Sequence, residues 1–338
     1  MLRGTPERAS TRGARWLTIA TAVSLLLPAL AHAGARDVEI VSGPPAWTNE
    51  RSASFGLSSD EPGSIECRLD AHVHPRADWD PCEDGHTLSG RLPEGRHVLE
   101  VRTAGNPGAP EDSWTWRVDV TPPSVPTVYE PTGRWYLERH VSASWGATDS
   151  YSGIFAYDVS YDVWSADGSA SADLPWLESA TVTGAPFPAR TGRTYCLRVG
   201  VQDRAGNLAP GLSPPRCFAR PLDDGALERG GLWTRRTGVD GYMGSSYVET
   251  TRHGAFARTT VFARRLLLVA TRCPGCGIVE VRWRGQVVRT VDLSASRTTK
   301  RARIPLVSLP AGERGTVRID VVSSDLRVRI DGVGASAV

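Results

Sequence analysis

Short runs in which apolar and polar residues alternate one by one dominate this sequence. Val279, Val281 and Trp283 alternate with charged residues, and the run ending at Ile330 places Leu326 and Val328 on the same face. The same period of two recurs at 157–161, 197–201 and 317–321. Successive side chains of a strand point to opposite faces, so such runs predict half-buried strands. A helical period is almost absent, and the sequence therefore predicts an all-β protein.

Two proline-rich segments, 120–131 and 212–225, divide the chain. Proline fixes φ and cannot donate to a strand ladder, so such segments end strands and stiffen linkers. The parts between them are close to the common size of a domain. We predict three tandem β-sandwich domains, at residues 34–121, 122–220 and 221–338.

Residues 1–33 have the pattern of a signal peptide. Four arginines precede an apolar run at 16–30, and Ala31-His32-Ala33 follows it. Small residues in this spacing are what a signal peptidase recognises. The run is shorter than the ~20 residues that span a bilayer. We expect cleavage, export to the cell surface or medium, and no membrane span in the mature chain; an uncleaved anchor is the alternative.

The segment 34–121 resembles the bacterial immunoglobulin-like modules found in tandem on exported surface proteins. The resemblance rests on "ASFGLSSDEPGSIECRLD", the pair "LPEGRHVLEVRT" and the closing "WTWRVDVTPP". It implies a sandwich whose core or half-core positions are held by five residues. These are Phe55, Leu99, Val101, Trp114 and Trp116.

The segment 122–220 resembles fibronectin type III domains, on "VSASWGATDSYSGIFAYDVSYDVW" and "GRTYCLRVGVQDRAGNLAPGLS". The resemblance implies that Trp145 is buried and that the Tyr195 hydroxyl ties back to the backbone. Gly206 suits a position with positive φ in the turn between the last two strands.

The segment 221–338 resembles the galactose-binding-like jelly roll. The matching features are an early Trp, a Gly-Tyr-x-Gly-x-x-Tyr stretch, "VEVRWRGQVVRTVDL" and a last strand that ends in Asp-Gly. Members of this family include carbohydrate-binding modules, although many only pack against neighbouring domains.

Six cysteines in an exported chain predict disulfides. Each predicted domain contains two of them, so the simplest pairing is local to each domain. The pairs are Cys67 with Cys82, Cys196 with Cys217, and Cys273 with Cys276.

The Cys273-Pro274-Gly275-Cys276 motif has three interpretations. A redox centre would need a helix after the second thiol, but a strand is predicted there. A zinc knuckle would need two further ligands, and His253 is the only nearby histidine. A β-turn brings its end Cα atoms within disulfide range, and Pro-Gly suits its centre. We favour a disulfide that staples a turn.

Few residues suggest catalysis or a metal. His72 and His74 form a His-x-His pair, but their position inside the Cys67–Cys82 loop favours a surface loop. Asp223-Asp224 lies in a linker, where capping or solvation is the expected role. No nucleophile, phosphate-loop or zinc-protease motif is present. We predict no enzymatic activity, no catalytic residue, no cofactor and no metal.

Binding is the better functional hypothesis. Trp283 alternates in phase with buried positions and is assigned to the core, whereas Tyr242 and Tyr247 lie in a Gly-rich stretch and are the main ligand candidates. Trp233 and Arg252 complete the predicted site. Aromatic faces suit the apolar faces of sugars.

Charge is spread unevenly along the chain. The segment from 221 has 19 Lys+Arg against 11 Asp+Glu, a net +8, whereas 34–220 carries −9. A basic end domain would attract anionic polymers; the alternative is a well-solvated, Arg-rich domain. No nucleic-acid module is recognised.

The sequence thus predicts a secreted or cell-surface protein that binds an envelope or extracellular glycan through 221–338, with the other domains as a spacer. Its partners would be a polysaccharide, an anionic cell-wall polymer or a surface protein. A purely structural or protein-interaction role is the alternative, and an accessory of an enzyme complex is a third.

Overall fold

The computed structural model describes residues 38–60, 65–88 and 90–338, and β-strands dominate these residues. The all-β class predicted from the alternating pattern is confirmed. The predicted signal peptide at 1–33 lies outside the described residues. No described helix is long and apolar enough to cross a bilayer.

The first sandwich contains nine strands. They are β1 (Val38–Ser42), β2 (Trp47–Thr48), β3 (Ala53–Ser54), β4 (Gly56–Ser59), β5 (Ile65–Leu69), β6 (Asp80–Cys82), β7 (Thr87–Leu88), β8 (Gly95–Thr103) and β9 (Asp112–Val118). A five-stranded sheet has the order β2-β9-β8-β5-β6, beside the pairs β1-β4 and β3-β7. Phe55, Leu99, Val101 and Trp116 are buried between these sheets, and Trp114 packs against them.

The second sandwich contains seven strands. They are β10 (Thr127–Glu130), β11 (His140–Gly146), β12 (Ile154–Ser165), β13 (Ala170–Ala180), β14 (Gly184–Pro188), β15 (Arg193–Asp203) and β16 (Arg216–Arg220). The sheets β10-β11-β14 and β13-β12-β15-β16 face each other across an aromatic core. Trp145 is buried in that core, as the sequence predicted.

The third sandwich contains nine strands and two short 3₁₀ turns. They are β17 (Leu222–Asp223), η1 (Asp224–Ala226), β18 (Glu228–Gly230), β19 (Thr234–Thr237), η2 (Met243–Ser245), β20 (Ser246–Thr250), β21 (Phe256–Arg272), β22 (Ile278–Trp283), β23 (Gln286–Asp292), β24 (Thr299–Val321) and β25 (Val328–Ser336). The strands follow the order β19-β20-β25-β21-β24-β22-β23, with β17 on β25 and β18 on β21.

The alternating pattern identifies the buried face of this sandwich well, with two corrections. Val279, Val281 and Trp283 are all buried, as predicted. Leu326 is 41% exposed, because β25 begins only at Val328. The same strand does not end at Asp331-Gly332 but continues to Ser336, where it pairs with β21.

All three predicted disulfides are present: Cys67–Cys82, Cys196–Cys217 and Cys273–Cys276. The last closes a β-turn, in which the Cys276 N–H donates to the Cys273 carbonyl at 3.1 Å. Gly275 sits in this turn with a φ of +70°, which explains the glycine there. The interpretation of this motif as a stapled turn is confirmed.

Tyr195 closes a corner of the second sandwich, as the sequence predicted. Its ring is buried, and its hydroxyl accepts a hydrogen bond from the Arg190 N–H at 2.9 Å. Burial raises the pKa of this hydroxyl, although the Arg190 hydrogen bond works against that shift. The Tyr195 hydroxyl is therefore protonated at neutral pH, and its hydrogen bond with the Arg190 N–H is retained.

We expect Tyr195→Phe to lower the free energy of unfolding of the second sandwich by about 1 kcal/mol, because the part-buried hydrogen bond from the Arg190 N–H loses its acceptor. Denaturant titration followed by fluorescence would measure this change. Tyr129→Phe is the matched control, since Tyr129 is 55% exposed. Equal stability of the two variants would contradict a structural role for the corner hydroxyl.

Candidate functional site

A groove of about 400 Å³ opens on the third sandwich, where the ends of β19, β20 and β25 meet. Two of the four predicted ligand residues, Trp233 and Arg252, lie on its wall. Its full lining is Leu232, Trp233, Thr234, Glu249, Thr250, Thr251, Arg252 and Arg327. We call this set the Trp233 groove.

Hydrogen bonds hold the aromatic side of the Trp233 groove in place. The Trp233 indole N–H donates to the Phe256 carbonyl at 3.1 Å, and the half-buried ring packs against the sandwich core. The Thr250 hydroxyl donates to the Leu232 carbonyl at 2.6 Å. Leu232 itself is 69% exposed. A fixed indole beside an exposed leucine gives the groove a preformed apolar wall.

The opposite side of the groove is ionic. Glu249 contacts Arg236 at 2.8 Å and Arg329 at 3.1 Å, and Arg327 lies at 4.0 Å. Burial works to raise the pKa of Glu249, but the hydrogen bonds from Arg236 and Arg329 outweigh it and the pKa lies below its ordinary value. Glu249 is therefore ionised at neutral pH. The exposed Arg252 has no carboxylate partner among the residues described.

The structure buries the other two predicted ligand residues. Tyr242 and Tyr247 are 7% and 8% exposed, and their ring centroids lie 4.3 Å apart. The Tyr242 hydroxyl shares a hydrogen bond of 2.9 Å with Thr271. Lys300 lies over the Tyr242 ring and Arg329 over the Tyr247 ring. Neither tyrosine presents a free ring face, so the expectation of a ligand contact there needs correction.

The physical reason lies in the pairing of β20. Tyr247 is inside this strand, which lies between β19 and β25, rather than in a loop. Sequence reasoning also missed the other six residues of the groove, among them Leu232, Glu249 and Arg327. An apolar residue directly after a Gly-Gly pair was the only local signal, at Leu232.

Two further concave regions lie away from the Trp233 groove. One, of about 370 Å³ in the second sandwich, is lined by Tyr161, Trp176 and Phe187, whose rings pack edge to face on one another. The other, of about 430 Å³, lies between the second and third sandwiches and is lined by Arg134, Trp135, Arg265, Leu266, Arg289, Pro305, Leu306, Val307 and Ser308. We call it the basic groove.

The basic groove concentrates positive charge without neutralising it. Arg265 and Arg289 have no carboxylate partner in the part of the chain that the structure describes. Burial and the nearby charges of Arg134 and Arg264 lower the pKa of Arg265. An anion that entered this groove would relieve that repulsion.

The two histidines of the His-x-His pair and the two aspartates of Asp223-Asp224 have different surroundings. His72 and His74 lie on an exposed loop. Asp223 caps η1 by accepting from the Asp224 N–H, as predicted. Asp224 is fully buried rather than solvated, and it pairs with Arg235 at 2.7 Å.

No protein-family model matches the chain, and no curated protein matches it. Solved structures similar to it include fibronectin(III)-like modules of Clostridium thermocellum CbhA, at 15% identity and a TM-score of 0.30, covering 54% of this chain and 94% of that one. Carbohydrate-binding modules of the β-sandwich superfamily give 10% identity and a TM-score of 0.27, covering 62% and 97%.

The Agl-KA catalytic domain gives 16% identity and a TM-score of 0.27, covering 34% of this chain and 27% of that one. The chain thus spans about a quarter of that structure. At TM-scores this low, none of these similarities carries an argument about function.

Asp331 is a buried carboxyl of the third sandwich that makes the stability of the fold depend on pH. Asp331 accepts from the Met243 N–H, at 3.1 Å to one oxygen. Burial raises its pKa to about 7, and the charges of Asp223 and Asp224 act in the same direction. Burial also raises the pKa of Asp223, to about 6.

The folded state therefore binds more protons than the unfolded state between the ordinary carboxyl pKa of 3.8 and about 7. We expect the stabilisation that comes from protonated Asp331 and Asp223 to be present at acidic pH and to be lost as the pH rises through 7. Asp331→Asn should gain stability relative to the wild type over the same rise. Unfolding midpoints across this pH range, with the exposed Asp325→Asn as control, would measure it; parallel pH profiles would contradict the assignment.

Proposed function

We propose that this protein is non-enzymatic, acts outside the cell and binds an extracellular or envelope glycan through the Trp233 groove. The main support for this proposal is that Trp233 and Leu232 line the same groove as three charged side chains, those of Glu249, Arg252 and Arg327. The first two sandwiches would serve as a spacer that holds this groove away from the point of attachment.

The chemistry of the groove suits a sugar. The apolar C–H face of a sugar ring packs on an aromatic face, and its hydroxyls need polar partners at the edge. The Glu249 carboxylate accepts hydrogen bonds, and the Arg252 and Arg327 guanidinium groups donate them. Because the indole N–H is already held by Phe256, Trp233 would contribute its ring and not its donor.

The disulfides support an extracellular site of action. All six cysteines are paired, and free cysteines are absent. Disulfides form and persist in oxidising compartments. A protein exposed outside the cell meets polysaccharides and anionic wall polymers, which are the partners that this proposal names.

A second candidate ligand site is the basic groove. Arg265 and Arg289 lack carboxylate partners there, so an acidic polysaccharide or anionic wall polymer would bind through its charged groups. This site differs from the Trp233 groove in chemistry, because its affinity would come mainly from charge. If neither groove binds a glycan, the structural or protein-interaction role becomes the leading alternative.

Trp233→Ala should weaken binding of the full protein to its glycan by about thirtyfold, the equivalent of ~2 kcal/mol for an aromatic anchor. Co-sedimentation with insoluble polysaccharides and purified cell walls would measure the loss. Trp79→Ala is the matched control, because Trp79 is a half-buried tryptophan held between Arg68 and Arg102 on the first sandwich. Equal binding by the two variants, or no binding by the wild type, would contradict the proposal for the glycans tested.

The charge of the basic groove should show in a salt series. Binding of an acidic polysaccharide such as polygalacturonate should fall steeply between about 0.05 and 0.5 M salt, because the Debye length shortens over this range. The pair Arg265→Gln and Arg289→Gln should reduce the low-salt binding. Arg258→Gln, a residue paired with Glu228, is the control. Binding that persists at high salt in the double variant would assign the ligand to the Trp233 groove instead.

A further inference from the structure

Three carboxylates meet at the junction between the first and second sandwiches. Asp119 directly follows β9, Asp149 lies in the loop between β11 and β12, and Asp203 is the last residue of β15. One oxygen from each of these carboxylates lies within 4.8 Å of one oxygen from each of the other two. Asp119 and Asp203 are 0% and 1% exposed. We call these residues the junction carboxylates.

Only neutral groups donate to the junction carboxylates in the hydrogen bonds that the structure shows. The main-chain N–H groups of Thr121 and Ser152 donate to Asp119, and those of Tyr151 and Gly153 donate to one oxygen of Asp149. Asn207 donates to both oxygens of Asp203 through its main-chain and side-chain nitrogens.

No ion pair to a basic side chain involves the junction carboxylates within the described residues. The site therefore gathers negative charge without a cation. Like charges this close and this buried repel strongly unless a cation lies between them.

Two buried oxygens at the same place lack hydrogen-bond partners. One is Asp149 Oδ2, the oxygen that the Tyr151 and Gly153 N–H groups leave free. The other is the hydroxyl of Ser152, the residue whose main-chain N–H donates to Asp119. Ser152 is 2% exposed. Buried polar atoms normally have partners, so these two point to a missing ligand.

We propose that the junction carboxylates bind one calcium ion, with the Ser152 hydroxyl beside them. All the candidate ligand atoms are oxygens. Hard cations such as calcium prefer oxygen ligands, whereas zinc has no such requirement. Two oxygens that each lie about 2.4 Å from a calcium ion are at most ~4.8 Å apart, which agrees with the spacing here. The site combines residues from three separate segments, so calcium would bind the folded arrangement and not the unfolded chain.

The position of the site gives the ion a mechanical role. Asp119 belongs to the end of the first sandwich, whereas Asp149 and Asp203 belong to the second. Two further contacts cross the same junction: the Trp47 and Tyr151 rings at 5.1 Å, and the hydrogen bond from the Asn207 side chain to the Asp119 carbonyl at 2.9 Å. A bound ion would fix the angle between the two sandwiches and stiffen the spacer.

Isothermal titration of calcium into the chelator-treated full protein tests this proposal. The wild type should show one saturable site per chain, and calcium should raise its unfolding temperature. Asp149→Asn should weaken calcium binding by about tenfold or more, because the site loses a charged ligand. Asp173→Asn, an exposed aspartate on the second sandwich, is the matched control and should bind like the wild type.

Stability without calcium separates loss of the site from loss of the fold. In chelator, Asp149→Asn should be at least as stable as the wild type, because the substitution removes one of three repelling charges and retains the oxygen that accepts from Tyr151 and Gly153. Absence of saturable calcium binding in the folded wild type would overturn the proposal. So would equal calcium affinity in the wild type and Asp149→Asn. Glycan binding at either groove is a separate measurement and does not depend on this result.

Discussion

The third sandwich depends on burial of both faces of β21. Leu266, Leu268 and Ala270 point into the core of this sandwich, and Leu267 and Val269 point the other way. On that second face, Leu137 of the second sandwich covers them together with Met243. Backbone hydrogen bonds to β24 and β25 fill both edges of the strand. One strand therefore organises the sheet and also attaches it to its neighbour.

This scaffold explains why the Trp233 groove is preformed. The groove is built at the ends of β19, β20 and β25, and β25 is paired directly with β21. Its loops are tied by main-chain contacts, including Gly277 N–H to the Arg327 carbonyl and Asp325 N–H to the Thr251 carbonyl. Ligand binding then orders few groups, which limits the entropic cost of binding.

Sequence patterns predicted those features that residues close together in the sequence determine. Alternation predicted the buried faces of β22 and β15, and the division into domains, with two cysteines in each, predicted the three disulfides. The patterns failed where distant segments decide the outcome. The burial of Tyr242 and Tyr247 depends on distant segments, because β20 pairs with β25 and the side chains of Lys300 and Arg329 lie over the two rings. The junction carboxylates are likewise spread from 119 to 203, with no motif to link them.

The uneven charge of the chain has a different meaning in each half. In the acidic half, part of the negative charge is buried at the junction between the first two sandwiches, where solvent and a distant partner do not reach it. In the basic half, many arginines are already paired: Arg236 and Arg329 with Glu249, and Arg318 with Asp320. Arginines without a carboxylate partner among the described residues include Arg252 beside Trp233, and Arg265 and Arg289 in the basic groove. A long-range field from the net +8 would be screened within about 10 Å at ordinary salt, so a charged ligand would have to be recognised through short-range contacts.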